Sequence, residues 1–274
     1  MSTDAPSDHG FVGSIPEIYD RFMVPMIFTP YALDLCERVV ALPAGPLLEI
    51  AAGTGAVTRE LAARLAAEVD ITATDLNQPM IDYAARVGTS RPVTWRQADV
   101  FALPFSDHSF QTVVCQFGVM FFPDKSRAFA EIRRVLRPGG TLIFNLWDSL
   151  DHNDFARTVN EPVADHFGDD APDFFARVPH GYHDPATVQA DLIGGGFAER
   201  AVFDVVTARS RATSSRMVAV GYCQGTPLRN EILAREPDGL EAMTDRVEAV
   251  IAATYGDADL DAVISAVVVT VTAP

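Results

Sequence analysis

The stretch Leu47-Leu48-Glu49-Ile50-Ala51-Ala52-Gly53-Thr54-Gly55 runs from an apolar segment into a glycine loop, and two later segments stop on Asp75 and Asp99. Glycines at 53 and 55 let the backbone pass close to a ligand, and a helix opening there offers free N–H groups. Asp75 lies 20 residues beyond Gly55, where a carboxylate can accept both hydroxyl protons of a ribose. Asp99 can accept from an exocyclic adenine amine while the Val100 N–H reaches a ring nitrogen. Each residue also has a plainer use, the aspartates as helix caps or turn formers and the glycines as a capping turn. Grouped at strand ends, they predict an edge that binds a nucleoside cofactor.

The elements that must position these residues follow from apolar runs and breakers. Residues 14–42 read as helices, with Ile15, Ile18, Tyr19 and Phe22 at helical spacing and Pro25 and Pro30 as punctuation. Strand one is expected at 46–51, then a helix over Ala56 to Ala67. Strand two (70–74) ends on Asp75, and strand three is Val93 to Arg96. Strand four covers Phe110 to Cys115, with a helix from Lys125 to Leu136 that Pro138-Gly139-Gly140 turns into strand five, Thr141 to Trp147. Strand and helix alternate five times with short links, which predicts an α/β fold with a doubly wound parallel sheet. Beyond it come a helix at Ala186 to Ile193, a strand near 199–208 and a last strand at 262–272. Insertions at 148–184 and 211–259 interrupt the pattern, so a single domain over 1–274 with a core at 46–148 and lid segments is expected.

Bulk properties exclude several partners. The net charge of −16 repels polyanions, and the arginines at 133, 134 and 137 read as one solvated helix end, so no nucleic acid is expected. No apolar run has the length of a membrane span, and residues 1–8 are polar and acidic, which suits a loose tail in a cytoplasmic protein. Cys36, Cys115 and Cys223 are odd in number and far apart, which suggests neither a disulfide framework nor zinc. Thr58 stands where a dinucleotide fingerprint has its third glycine, and the Gly-Lys-Ser/Thr ending of a triphosphate loop is missing.

Five pieces in order resemble the class I S-adenosylmethionine (SAM)-dependent methyltransferases, in particular their ubiquinone/menaquinone-biosynthesis-like small-molecule branch. They are Leu48 to Gly55, Ala73-Thr74-Asp75-Leu76, Ala98-Asp99-Val100, Leu103-Pro104-Phe105, and Arg134 to Gly140, within residues 46–148. The resemblance implies a mostly parallel seven-stranded, Rossmann-like sheet, SAM as cofactor and S-adenosylhomocysteine as product. On these positions the loop Ala51 to Gly55 would cradle the methionine part, Asp75 would hold the ribose, and Leu76 would pack on adenine. Asp99 and Val100 would read the adenine edge, and Gln116 would sit near the amino-acid moiety through its backbone carbonyl. Tyr19, Glu49, Thr54 and Met80 complete the expected cofactor set. Ala51 stands where the family usually has glycine.

Methyl transfer from a sulfonium is an in-line displacement that alignment in a dry pocket can drive, so no metal is required. Pocket walls are expected from segments 11–42, 148–184 and 211–259, with aromatic candidates in Tyr19 to Phe28, Phe121-Phe122, Trp147, Phe174-Phe175 and Tyr182. Each such residue could equally be plain core. Their concentration in the insertions favours a small, largely apolar acceptor. A general base is needed only for an acceptor that must lose a proton, and His183 and then His152 are the candidates, both following strand five. Cys115-Gln116-Phe117-Gly118 after strand four lacks the Asn/Asp-Pro-Pro-aromatic motif of nucleobase-amine methylation, and the cysteines do not fit the arsenite enzymes. Other readings are a SAM-binding enzyme with a different reaction, a nicotinamide-dependent oxidoreductase, and a non-catalytic binding protein. A homodimer is a candidate assembly.

Overall fold

The parallel strands alternate between two apolar faces, which makes them central and buried. In β4 (Phe110–Gln116), Val113 and Cys115 point into one core and Val114 into the other; in β5 (Leu136–Trp147), Leu142, Phe144 and Leu146 oppose Ile143. Period-two alternation with apolar residues on both sides requires helices on both faces of the sheet. The computed structural model describes residues 15–274. The expected acidic tail and the first residues of the 11–42 segment lie outside them.

Seven strands form one sheet in the order β3-β2-β1-β4-β5-β7-β6. Here β1 is Leu47–Glu49, β2 Ile71–Asp75, β3 Thr94–Gln97, β6 Val202–Ser214 and β7 Ala258–Thr272. The first five strands pair in parallel, and β7 runs antiparallel to both β5 and β6. Chain order reverses between β1 and β4, so the crevice at their carboxyl ends is the topological switch point where open α/β sheets bind ligands. The seven-stranded, mostly parallel expectation holds.

Helices α1 (Ile15–Ile18) and α2 (Thr29–Val40) flank a π-helical segment, Tyr19–Phe28. The Val24 carbonyl accepts from both the N–H and, at 2.9 Å, the hydroxyl of Thr29, which closes the wide turn around Pro25. Helix α2 and α3 (Ala56–Arg64) cover one face through Leu35, Val39, Val57 and Leu61. Helix α4 (Gln78–Val87) links β2 to β3, and α5 (Lys125–Val135) covers the other face with Phe129 and Ile132. The Asp124 side chain caps α5 by accepting from the Arg127 N–H at 3.0 Å.

Two expectations need correction. Pro138-Gly139-Gly140 is not a turn ahead of strand five but an irregular part of β5, because the Gly139 N–H and Gly140 carbonyl pair with Ala273 (2.9 and 2.8 Å). The strand expected near 199–208 runs on to Ser214, held in register by the Arg209–Asp261 pair at 2.8 Å. The first insertion holds α6 (Asp154–Phe167) and α7 (Phe174–Arg177), and α8 (Pro185–Gly194) follows it. The second holds α9 (Ser215–Gln224), α10 (Leu228–Arg235) and α11 (Leu240–Tyr255). Among the described residues no helix is long and apolar enough to cross a membrane.

Candidate functional site

Strand β1 stops because the chain after Glu49 enters left-handed turns: Ala51 has φ +52°, Gly53 +55° and Gly55 +85°. Glycine occupies that region freely, whereas alanine pays about 1–2 kcal/mol for it. The turn carries the backbone over the end of the sheet, and Asp75 ties it down. One Asp75 oxygen accepts from the Gly53 N–H and the other from the Asn77 N–H, each at 2.8 Å. Burial pushes the Asp75 carboxyl up, against the opposing pull of those N–H groups.

A cavity of about 310 Å³ opens beside this loop at the carboxyl ends of β1, β2 and β4. Of the expected cofactor residues, Tyr19, Ala51, Gly53, Asp75, Leu76, Met80, Asp99, Val100 and Gln116 line it. Leu76 is 47% exposed there, an apolar side chain with open space for a flat partner. One Asp99 oxygen accepts from the Phe101 N–H at 2.9 Å, so the turn reading and the ligand-facing position coexist. The structure therefore brings the two aspartates and the loop to one chamber.

Glu49, Thr54 and Gly55 stand behind the wall rather than in it. Glu49 is buried and accepts from the Thr58 hydroxyl at 2.6 Å; burial pushes its carboxyl up to about 8. Gly55 is the residue before α3, and a Cβ there would lie 2.9 Å from the Trp95 ring. Residues that the motif reading passed over also line the chamber: Asn77, Phe101, Phe117 and Gly118. A glycine two residues past the end of a buried strand was the signal for the last of these.

A polar atom in this wall lacks a partner. Gln116 Oε1, at the end of β4, is buried and accepts no hydrogen bond from any described residue. Gln116 thus offers its side-chain oxygen, where the sequence reading expected its backbone carbonyl. A Cβ built on Gly53 meets nothing within 4 Å, so a side chain there would project into open space. An acceptor oxygen, a glycine facing open space and a ribose-compatible carboxylate together fit a nucleoside carrying a cationic amino acid.

A second, smaller cavity of about 60 Å³ adjoins the first, and Tyr19, Phe117 and Phe121 line both. Phe117, at φ +51°, stacks on Trp147 with ring centres 3.8 Å apart, and Tyr31 meets both edge-on. The Phe117 N–H donates to Asn145 Oδ1 at 2.9 Å, which turns β4 so that this ring divides the chambers. Phe174, Phe175 and Tyr222 form the far wall. The Tyr19–Phe28 segment, whose Tyr19 lines both chambers, is tied to α3 by the Asp20–Arg59 ion pair at 3.0 Å, while Arg59 also donates to the Thr54 carbonyl at 2.7 Å.

The two histidines expected as bases stand apart from these chambers. Neither His183 nor His152 lines either cavity. His152 is 64% exposed by side chain and bound to Asp148 at 2.9 Å, and His183 Nδ1 donates to the His180 carbonyl at 2.8 Å. The histidine in the apolar wall is His180, because the turn after α7 points it inward beside Trp147. Tyr182 is buried elsewhere, its hydroxyl donating to Asp191 at 2.8 Å. Among the described residues no three His, Cys, Asp or Glu side chains gather as metal ligands would.

Comparison with known proteins bears on the core and the fold. Residues 48–144 match the family model described as a methyltransferase domain. The ubiquinone/menaquinone biosynthesis C-methyltransferase of Geotalea daltonii is 32% identical over 111 residues, covering 39% of this chain and 47% of that protein. The chain thus spans about half the length of that relative. Phosphoethanolamine N-methyltransferase 2 of Haemonchus contortus, solved with SAM, superposes with a TM-score of 0.61 at 14% identity over 100% of this chain and 61% of that one. The [4+2]-cyclase SpnF superposes with a TM-score of 0.51 at 19% identity, over 89% of this chain and 80% of that one. At such identities the two structures establish a shared fold.

Proposed function

We propose that this chain is a class I methyltransferase that transfers a methyl group from SAM to a small, largely apolar organic acceptor, a reading that its fold and the match over residues 48–144 support. The observation that carries this reading is the pair of adjoining cavities, one edged by Asp75, Asp99 and Gln116 and the other by aromatic rings, sharing Tyr19, Phe117 and Phe121. When bound, SAM supplies a methyl group on a sulfonium whose positive charge vanishes on transfer.

The chain's own residues do the rest. Asp75 holds the ribose, Asp99 and the Val100 N–H read the adenine edge, and Leu76 and Met80 pack on the ring. Gln116 Oε1 accepts from the ammonium, which repairs its buried, partnerless state. The lid residues Tyr19 to Phe28 exclude water, and the aromatic wall aligns an apolar acceptor with the methyl group, an entropic gain that needs no strong acid or base. The three cysteines are buried and free, which suits a reducing cytoplasm.

Incubation of the full chain with methyl-labelled SAM and a panel of phenols, quinols and amines tests this. Transfer of label to an organic product, with S-adenosylhomocysteine released, is expected. Binding of SAM with no label leaving it under any acceptor would favour another reaction on the same fold.

A further inference from the structure

The small cavity carries no formal charge on its wall. Among the described residues no Asp, Glu, Lys or Arg lines it, so a charged acceptor would lose its water without gaining an ionic partner. Most polar groups there are already used. The Asn153 amide donates to the Ser149 carbonyl (3.0 Å) and accepts from the Ser265 N–H (3.2 Å), and the Thr226 hydroxyl donates to the Tyr222 carbonyl at 2.7 Å. His180 is different. Its Nδ1–H donates to the Asp148 carbonyl at 2.8 Å, which fixes the tautomer and leaves the lone pair on Nε2. The residue is 6% exposed, and no described residue bonds Nε2.

We propose that His180 determines acceptor specificity, the small cavity taking the donor-bearing edge of an uncharged ring that presents an O–H or N–H donor to His180 Nε2. Burial pulls the imidazole down to about 4, so the ring stays neutral at ordinary pH and can accept a hydrogen bond there. A cavity of about 60 Å³ has room for a few waters but not for a whole six-membered ring, so the rest of the guest would extend past Phe117 and Phe121 into the larger cavity that adjoins it. Phe117, Trp147 and Phe175 line the small cavity and supply apolar ring contacts for such a guest. Tyr222 also lines this wall, 3% exposed, and no described residue hydrogen-bonds its hydroxyl, which gives the guest a second polar contact. His180 thus orients the accepting atom directly, with its proton on Nδ1 and none on Nε2 in the resting state.

This inference rests on the methyltransferase reading for its role in turnover, but its binding test needs no cofactor. Phenol and toluene have nearly the same shape and differ in the donor. The chain has 2 tryptophans, so in a Trp95→Phe background the fluorescence of Trp147, in the cavity wall, reports occupancy. Phenol should bind at least tenfold more tightly than toluene, and His180→Phe should bring the two within twofold while toluene still binds. Equal affinities in the Trp95→Phe protein, or an unchanged preference in the added His180→Phe variant, overturn the proposal. If His180→Phe melts too early for titration, ¹⁵N-histidine spectra of the native chain decide: the Nε2 resonance must shift on adding phenol and not toluene, and its failure to do so overturns the proposal. SAM titrated into the same samples separates a failure of the cofactor reading from a failure of this one.

Discussion

A side chain on Gly118 would collide with Ala51: a Cβ built there lies 2.5 Å from the Ala51 Cβ and 2.7 Å from Cys115 Sγ. Ala51 already holds φ +52°, and the two residues share one space in the wall of the larger cavity. Gly118→Ala should therefore cost about 1–3 kcal/mol of stability by overpacking. Ala51→Gly alone should be close to neutral, since relief of left-handed strain offsets the greater freedom of the unfolded chain. Placed together, the two changes should recover about 1 kcal/mol or more of the loss, read as non-additivity in urea unfolding. Additive effects would show that the two methyl positions do not compete.

Asp75→Ala should weaken SAM binding by about 1–3 kcal/mol in calorimetric titration, through loss of a charged acceptor for the ribose. The sequence alone suggests a strand-end residue that the fold can spare. The structure corrects this: Asp75 is 7% exposed and accepts the Gly53 and Asn77 N–H groups, so the melting temperature should fall as well. Asp75→Asn, which keeps an oxygen acceptor, should lose affinity with a smaller drop in melting temperature. Unchanged affinity in both variants would take Asp75 out of the site.

The buried Glu49 carboxyl gives a stability signal with a defined sign. Its folded-state pKa, about 8, lies above its ordinary value of 4.5, so the folded chain holds that proton more tightly. Its stabilising contribution is complete below the ordinary value and is lost as pH rises through about 8. Glu49→Gln should flatten that loss, with a gain on the order of a few kcal/mol by pH 9. Thermal melts from pH 5 to 9 check it; parallel curves for both proteins would contradict a protonated Glu49.

Arg59→Met should loosen the lid, because it removes the pair with Asp20 and the bond to the Thr54 carbonyl. Partly exposed pairs contribute about 1 kcal/mol or less, so the effect should be local. Trypsin should cut faster after the exposed Arg21, within the lid, and SAM should slow the cut in the native chain. Equal cleavage rates in the two proteins would mean that Arg59 does not hold the lid.

His183→Ala and His152→Ala should leave turnover within about twofold, since general-base losses run to two or more orders of magnitude and neither ring reaches a cavity. A hundredfold loss in either would restore the expectation read from the sequence.

Parts of the site were legible because strand ends and glycine turns are written locally. Asp75 and Asp99 close apolar runs, and Gly53 and Gly55 sit where the chain must take positive φ. The histidines were not legible, since His180 and His183 share one loop and only the packing of that loop beside Trp147 decides which faces inward. Phe117 and Gly118 were passed over for a similar reason: the Asn145 bond that turns them inward comes from a neighbouring strand, 28 positions away. Both strands of the β6–β7 ribbon were expected but not their full length, to Ser214 and from Ala258, because an exposed edge strand such as β6 lacks the apolar alternation that marks its ends.

The central claim is a SAM site at the carboxyl ends of β1, β2 and β4, and calorimetric titration of SAM into the full chain, with NAD as control, tests it most directly. The account predicts one SAM per chain, affinity falling in Asp75→Ala, and no heat from NAD. Saturable NAD binding with no SAM binding would contradict it.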